Sequence, residues 1–186
     1  MIQLDVDAPG NLIRTMWDRL HRLPGGRTVF SRLIGLTAPY TGTISAKVEE
    51  LEIGRARVTM RDRRGVRNHL RSVHAVALAN LAELTGNVAL AYSMPDDARF
   101  IVAGMELDYV KKARGTIVGT CSCPVPEDSA RREYRVVVLL SDTSGDEVVR
   151  AALRTLVGPK RPATSATDAA ARLREGKDAG IDKLSS

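Results

Sequence analysis

Residues 73–92 form a stretch that is apolar on nearly every side, and this limits what the rest of the chain can build. It is almost long enough to span a bilayer, but it carries His74, Asn80, Glu83 and Asn87, which would be costly in hydrocarbon. A surface helix would show one apolar stripe and one polar face. A helix without that asymmetry belongs inside a protein, so the other elements must wrap around it.

The flanking sequence supplies the wrapping. Residues 11–23 read as an amphipathic helix carrying Leu12, Ile13, Met16, Trp17 and Leu20, stopped by Pro24-Gly25-Gly26, and a second short helix covers 29–36 before Pro39. From Thr41 the period changes to two. Ile44, Ala46 and Val48 alternate with polar residues; after Gly54, Ala56, Val58 and Met60 alternate with Arg55, Arg57, Thr59 and Arg61, which predicts a hairpin with one wet face. Beyond the apolar helix and a Pro95-Asp96-Asp97 turn, strand-like runs cover 100–111, 116–123, 133–140 and 147–157. Two strands, one long helix and four strands give an α+β domain: an antiparallel sheet wrapped around one central helix. The expected organisation is a helical extension over 1–40, the sheet-and-helix domain over 41–158, and a flexible tail over 159–186 with a helical turn or two at 168–174.

Asn80, Glu83 and Asn87 recur at spacings of three and four, so they form one polar stripe on a helix that otherwise excludes water. A buried carboxylate is costly unless compensated, and desolvation makes such a group useful as a base near neutral pH. An arginine partner or a wet interface is the alternative account of Glu83. His74 lies nine residues before Glu83. On one helix that is about 13.5 Å of rise and roughly half a turn, so any cooperation between the two needs a second copy of the chain. Its place near a helix start also suits capping.

The formal charge of +6 and pI near 9.7 favour an anionic partner: nucleic acid, a membrane surface or a phosphorylated cofactor. With two Phe, four Tyr and one Trp, and with no recognised RNA- or DNA-reading motif, the chain offers little for nucleic-acid binding. Cys121 and Cys123 would share one face of a strand and are too close in sequence for an ordinary disulfide, which fits a reduced, cytoplasmic setting. Residues 1–7 carry two aspartates where a signal peptide would be basic, so export is not expected.

The segment from Asn68 through His74 to Glu83 resembles the signature of hotdog-fold thioesterases of the phenylacetate-degradation type: an asparagine, a histidine opening the central helix, and an acidic residue further along it. His74 is six positions after Asn68, and Glu83 nine positions after His74. Tyr109-Val110-Lys111-Lys112-Ala113-Arg114-Gly115 resembles the family's strand ending in a basic residue, alanine and glycine. Two departures stand out. Ala75-Val76 replaces the family's Gly-Gly after the histidine, and Glu83 stands where the closest branch usually has aspartate.

The resemblance implies a hotdog domain acting on an acyl-CoA thioester at the interface of a homodimer or homotetramer, with coenzyme A present only as part of the substrate and no metal required. Glu83 would activate water or attack the carbonyl, Asn68 would orient water or carbonyl, His74 would bond the carbonyl region, and the Ala75 N–H would hold the oxyanion. Arg71, Lys111, Lys112 and Arg114 would hold coenzyme A phosphates, although a solvated sheet edge explains those cations as well. The alternative is a non-catalytic hotdog module that binds acyl-CoA or an acyl carrier. Hotdog dehydratases resemble the sequence less.

Overall fold

A computed structural model describes residues 7–161. Three helices, α1 (Leu12–Leu20), α2 (Gly26–Thr37) and α3 (Pro39–Gly42), precede the hairpin β1 (Lys47–Glu52) and β2 (Arg55–Met60). The long helix α4 (Ala75–Ser93) follows, then β3 (Ala98–Tyr109), β4 (Ile117–Ser122), β5 (Arg132–Ser141) and β6 (Glu147–Pro159). The six strands form one antiparallel sheet in the order β1-β2-β4-β5-β6-β3. The sheet curls around α4, which touches every strand. This is the architecture expected from an apolar helix flanked by alternating runs.

The alternation decides which face meets the helix. On β5, Val136, Val138 and Leu140 are buried while Arg135, Val137 and Leu139 point outward. Helix and sheet approach closely where small residues permit it. A Cβ added at Gly86 would stand 3.2 Å from Leu153 and Val136, and one added at Gly119 would stand 2.5 Å from Thr85 Oγ1. The Thr85 hydroxyl is itself satisfied, donating to the Leu81 carbonyl at 2.7 Å. Cys121 and Cys123 are both free and buried.

The N-terminal helices belong to the same core, with Trp17 and Phe30 packed edge to face within it. Asn11 caps α1 by accepting the Arg14 N–H at 2.9 Å, and its Nδ2 donates to the carbonyls of Ala91 and Met94 at the end of α4. The first helix stops at Leu20 rather than 23: His21 N–H still donates to the Trp17 carbonyl four residues back, but the Leu23 N–H donates to Leu20 only three back, which tightens the chain into a turn. The second runs longer than the expected 29–36.

Pro39 starts a helix instead of only stopping one, since a proline at the first helical position loses no needed donor. That short helix also delays the first strand. The N–H groups of Thr43, Ile44 and Ser45 donate to carbonyls of Tyr40, Thr41 and Gly42, so they are taken before a strand partner can claim them. β1 therefore begins at Lys47 although Ile44 is buried as expected. The sequence-expected turns at 168–174 and most of the tail lie outside the described residues. Among the described residues, no helix is long and apolar enough to cross a membrane.

Candidate active site at the start of the central helix

α4 begins two residues later than its apolar run because Val73 is held elsewhere: it bridges Arg67, and its N–H donates to the Ala113 carbonyl at 2.9 Å. His74 is thereby set as the N-cap. Its backbone N–H donates to Val66 at 2.8 Å, and its Nδ1 accepts the Val76 N–H at 3.1 Å. Because Nδ1 is the acceptor, the neutral ring carries its hydrogen on Nε2. The Ala75 N–H has no acceptor among the described residues, and it sits at the positive end of a 19-residue helix. The Ala75 carbonyl accepts the Tyr109 hydroxyl at 3.2 Å, tying the end of β3 to the helix start. Burial raises the Tyr109 pKa above the usual phenol value, so the hydroxyl stays a donor.

The loop before the helix is built around two side chains. Asn68 Oδ1 accepts from Leu70 N–H at 2.9 Å and from the N–H and hydroxyl of Ser72 at 3.2 Å each, closing a turn in which Arg71 adopts φ +56°. The expectation that Asn68 orients a water or carbonyl is thus narrowed. Its oxygen is used locally, and only Nδ2 has no partner among the described residues. Asp62 receives Arg67 Nε at 2.6 Å and the Gly115 N–H at 3.0 Å, clamping this loop to the segment after β3. The Arg67 hydrogen bond holds the Asp62 carboxyl below its ordinary pKa, against the opposing effect of burial.

The polar stripe divides. Asn80 is 4% exposed, whereas Glu83 and Asn87 are only partly buried, so the expectation of a deeply buried glutamate is corrected. Ala79, Glu83 and Asn87, four residues apart, are the partly buried positions in the middle of α4 and mark one stripe of the helix that is less covered than the rest. No basic side chain pairs with Glu83 among the described residues. Within one chain, His74 and Glu83 occupy positions separated along and around the helix, as their spacing required.

The basic residues also separate. Arg71, Lys112 and Arg114 are exposed and have no carboxylate partner among the described residues. Lys111 is already engaged by Asp142 at 2.8 Å and Asp146 at 2.5 Å, and the Asp142 hydrogen bond leads in raising its pKa. Of the four cations expected to meet phosphate, Lys111 is the one that already has carboxylate partners within the fold, two residues remote in sequence.

Two cavities adjoin this region. One of about 320 Å³ is lined by Tyr40, Ile44, Val66, His74, Val76 and Asn80, among others. A larger cleft of about 1010 Å³ opens between α2, α3 and the β1–β2 hairpin, with Arg32, Lys47, Arg61 and Arg63 on its walls. The sequence reading missed both, because α3 forms part of each wall. The signal that could have pointed to the smaller one was Asn80 itself, a polar residue among Ala and Leu.

A six-stranded antiparallel sheet wrapped around a central helix is the hotdog fold, and solved thioesterase-family structures share it. A structural-genomics protein, APC5556, is 31% identical with a TM-score of 0.69, the alignment covering 79% of this chain and 98% of that one. A Pseudomonas aeruginosa protein described as of unknown function and a probable thioesterase is 24% identical, with a TM-score of 0.64, covering 74% and 97% of the two chains. A thioesterase from Haemophilus influenzae is 10% identical, with a TM-score of 0.62, covering 72% and 90%. The profile of the DUF4442 family, a domain of unknown function, matches residues 26–157, and the chain belongs to that family. No curated protein matches the sequence.

Proposed function

We propose that this chain hydrolyses an acyl-CoA thioester as a homodimer, with each site assembled from the α4 start of one copy and Glu83 of the other. The observation that carries the reading is the unpaired Ala75 N–H at the start of α4, the donor that a developing thioester oxyanion needs. Asn68 Nδ2 and His74 Nε2–H lie in the same loop-and-cap unit and add neutral donors for the carbonyl. Glu83, partly exposed and without a basic partner among the described residues, is the group available to activate water or attack the carbonyl. A thiolate leaves readily, so positioning and one base suffice.

The second copy enters along β3, a 12-residue strand that among the described residues is paired only to β6, and whose outer edge can extend the sheet. Arg71, Lys112 and Arg114 remain as candidate phosphate contacts. The decisive experiment measures thiol release from short, medium, long and aromatic acyl-CoAs by wild type and Glu83→Gln. We expect Glu83→Gln to lose at least about 100-fold in kcat with unchanged thermal stability. Undiminished hydrolysis in that variant refutes the assignment. One feature favours a binding-only module: Val76, 50% exposed, adds bulk beside the Ala75 N–H. That reading predicts saturable acyl-CoA binding with no turnover.

A further inference from the structure

α3 folds back over α2 where two glycines meet: a Cβ added at Gly42 would stand 2.6 Å from the Gly35 carbonyl oxygen, and one at Gly35 would stand 3.0 Å from the Gly42 Cα. These two helices form one side of the cleft of about 1010 Å³, and β1 with the segment after β2 forms the other. Each side brings cations: Arg32 from α2, Lys47 from β1, and Arg61 and Arg63 after β2. Among the described residues, Glu49 is the only carboxylate on the walls. Lys47 pairs with it at 3.0 Å and the Thr59 hydroxyl donates to it at 3.2 Å, so these two charges cancel.

Three guanidiniums are left. Arg32 and Arg61 are exposed and have no hydrogen-bond or ion-pair partner among the described residues. Arg63 Nη2 donates to the Ser45 hydroxyl at 3.2 Å and to the Thr43 carbonyl, both on residues of the same walls. Those acceptors are neutral, so they fix the guanidinium in place and leave its charge unanswered. Like charges gathered in one cleft repel, and a ligand with more than one negative charge relieves this best. A carboxylate carries one, whereas a phosphate ester carries about −1.5 to −2 and matches the guanidinium fork. The cleft is also far larger than a phosphate ion needs, at the top of the roughly 300–1,000 Å³ of small-molecule sites. Ile34, Leu36 and Leu84 give its walls apolar surface for the body of an organic ligand.

We propose that this cleft binds a nucleotide, with Arg32, Arg61 and Arg63 holding its phosphates and the apolar walls meeting its base. Thr43 lines both this cleft and the 320 Å³ cavity that His74 lines, so the two adjoin on one chain. The nucleotide is either the end of an acyl-CoA whose thioester lies at the α4 start, which rests on the function proposed above, or a free nucleotide bound beside that site. Arg71, Lys112 and Arg114 do not line the cleft, so they are a separate group of cations.

The test titrates the full chain at low salt, by calorimetry, with adenosine 3′,5′-bisphosphate and with ADP. Wild type should bind at least one of them saturably. Arg32→Gln/Arg61→Gln should weaken that binding by at least about 10-fold, since each change removes a charge-assisted contact. Arg19→Gln/Arg22→Gln removes the same charge from α1 and the turn after it, where neither residue lines the cleft, and should leave the affinity within about two-fold. Absence of saturable binding overturns the proposal. Equal weakening in the two double variants overturns it as well, since that marks diffuse attraction to a basic protein. The single variants Arg32→Gln and Arg61→Gln are titrated too, and they decide if the double variant does not fold.

Thiol release tells the two sources apart. If the nucleotide belongs to the substrate, Arg32→Gln/Arg61→Gln raises KM for acyl-CoA by the same factor and leaves KM for the S-acyl pantetheine, which has no phosphate, unchanged. If the nucleotide is free, its binding weakens in that variant while KM for both esters stays as in wild type. Should no ester be hydrolysed, the thioesterase reading fails separately, and the titrations still decide on the cleft.

Discussion

Replacing Asn68 separates two roles that one side chain can play, and the structure gives a magnitude for each. In Asn68→Ala, the Ser72 N–H loses its acceptor in a residue only 4% exposed, which costs about 1–3 kcal/mol. The Leu70 N–H belongs to a residue that is 52% exposed, so water can replace its bond and the added cost is at most about 0.5–1 kcal/mol. The same contacts hold Arg71 at φ +56°, a conformation unfavourable by roughly 1–2 kcal/mol that the loop no longer supports. A net loss of about 2–3 kcal/mol corresponds to a fall of about 4–12 °C in Tm for a chain of this size. Asn68→Asp keeps the acceptor and should stay within about 1 kcal/mol of wild type, while losing the Nδ2 donor proposed to face the thioester. We therefore expect Asn68→Ala to lose stability and activity together, and Asn68→Asp to lose activity alone. Urea unfolding and thiol release measure the two. The reasoning is refuted if Asn68→Ala unfolds like wild type, or if Asn68→Asp is as unstable as Asn68→Ala.

Other perturbations probe the packing and the clamp. Gly119→Ala would bring a Cβ to 2.5 Å from Thr85 Oγ1 and 3.1 Å from Leu140 Cδ2, so it should cost roughly 1–3 kcal/mol, and Thr85→Ala should recover part of that in the double variant. Equal stability of Gly119→Ala and wild type in urea would contradict the close helix–sheet approach. Asp62 has a lowered folded pKa, so its contribution is complete above the unfolded carboxylate value near pH 4 and is lost as pH falls through the lower folded value. Asp62→Asn should thus be less stable than wild type at pH 7, with the difference shrinking below about pH 4; a difference independent of pH would remove the charge from the explanation.

The central helix was legible because its apolar character on all sides has few solutions, and β4 to β6 because they alternate inward and outward residues, β6 from Val149 onward. Sheet order was less so. β3 joins the far edge beside β6, a pairing between segments remote in sequence that no local pattern encodes. The role of Pro39 was ambiguous locally, since proline suits both a stop and a first helical position. The surroundings of the motif residues Asn68, His74 and Glu83 were read unevenly. The His74 cap follows from its place at the helix start, and the Asn68 turn is local enough that an Asn followed four residues later by Ser could have suggested it. The exposure of Glu83 and the pairing of Lys111 depend on which stripe of the helix is left less covered and on a hairpin far along the chain. Neither is written near the residue concerned.

The separation of the two halves of the proposed site gives the sharpest test of how copies cooperate. Ala75 and Glu83 sit on one helix, about 12 Å apart along its axis, while β3 offers an open edge for a second sheet. Ala75→Pro removes the candidate oxyanion donor at little cost to the helix, since proline suits the first position and His74 already has the extended backbone that a following proline requires, at φ −67° and ψ 139°. Glu83→Gln removes the candidate base. Each variant alone should be inactive. Unfolded together and refolded at equal concentration, half of the dimers are mixed, and in a mixed dimer one site combines the intact Ala75 of one copy with the intact Glu83 of the other. About one quarter of wild-type activity should therefore return, because one of two sites works in half of the dimers. If both groups served the same site from a single copy, no mixed dimer would contain an intact pair, and activity would not rise above that of the separate variants.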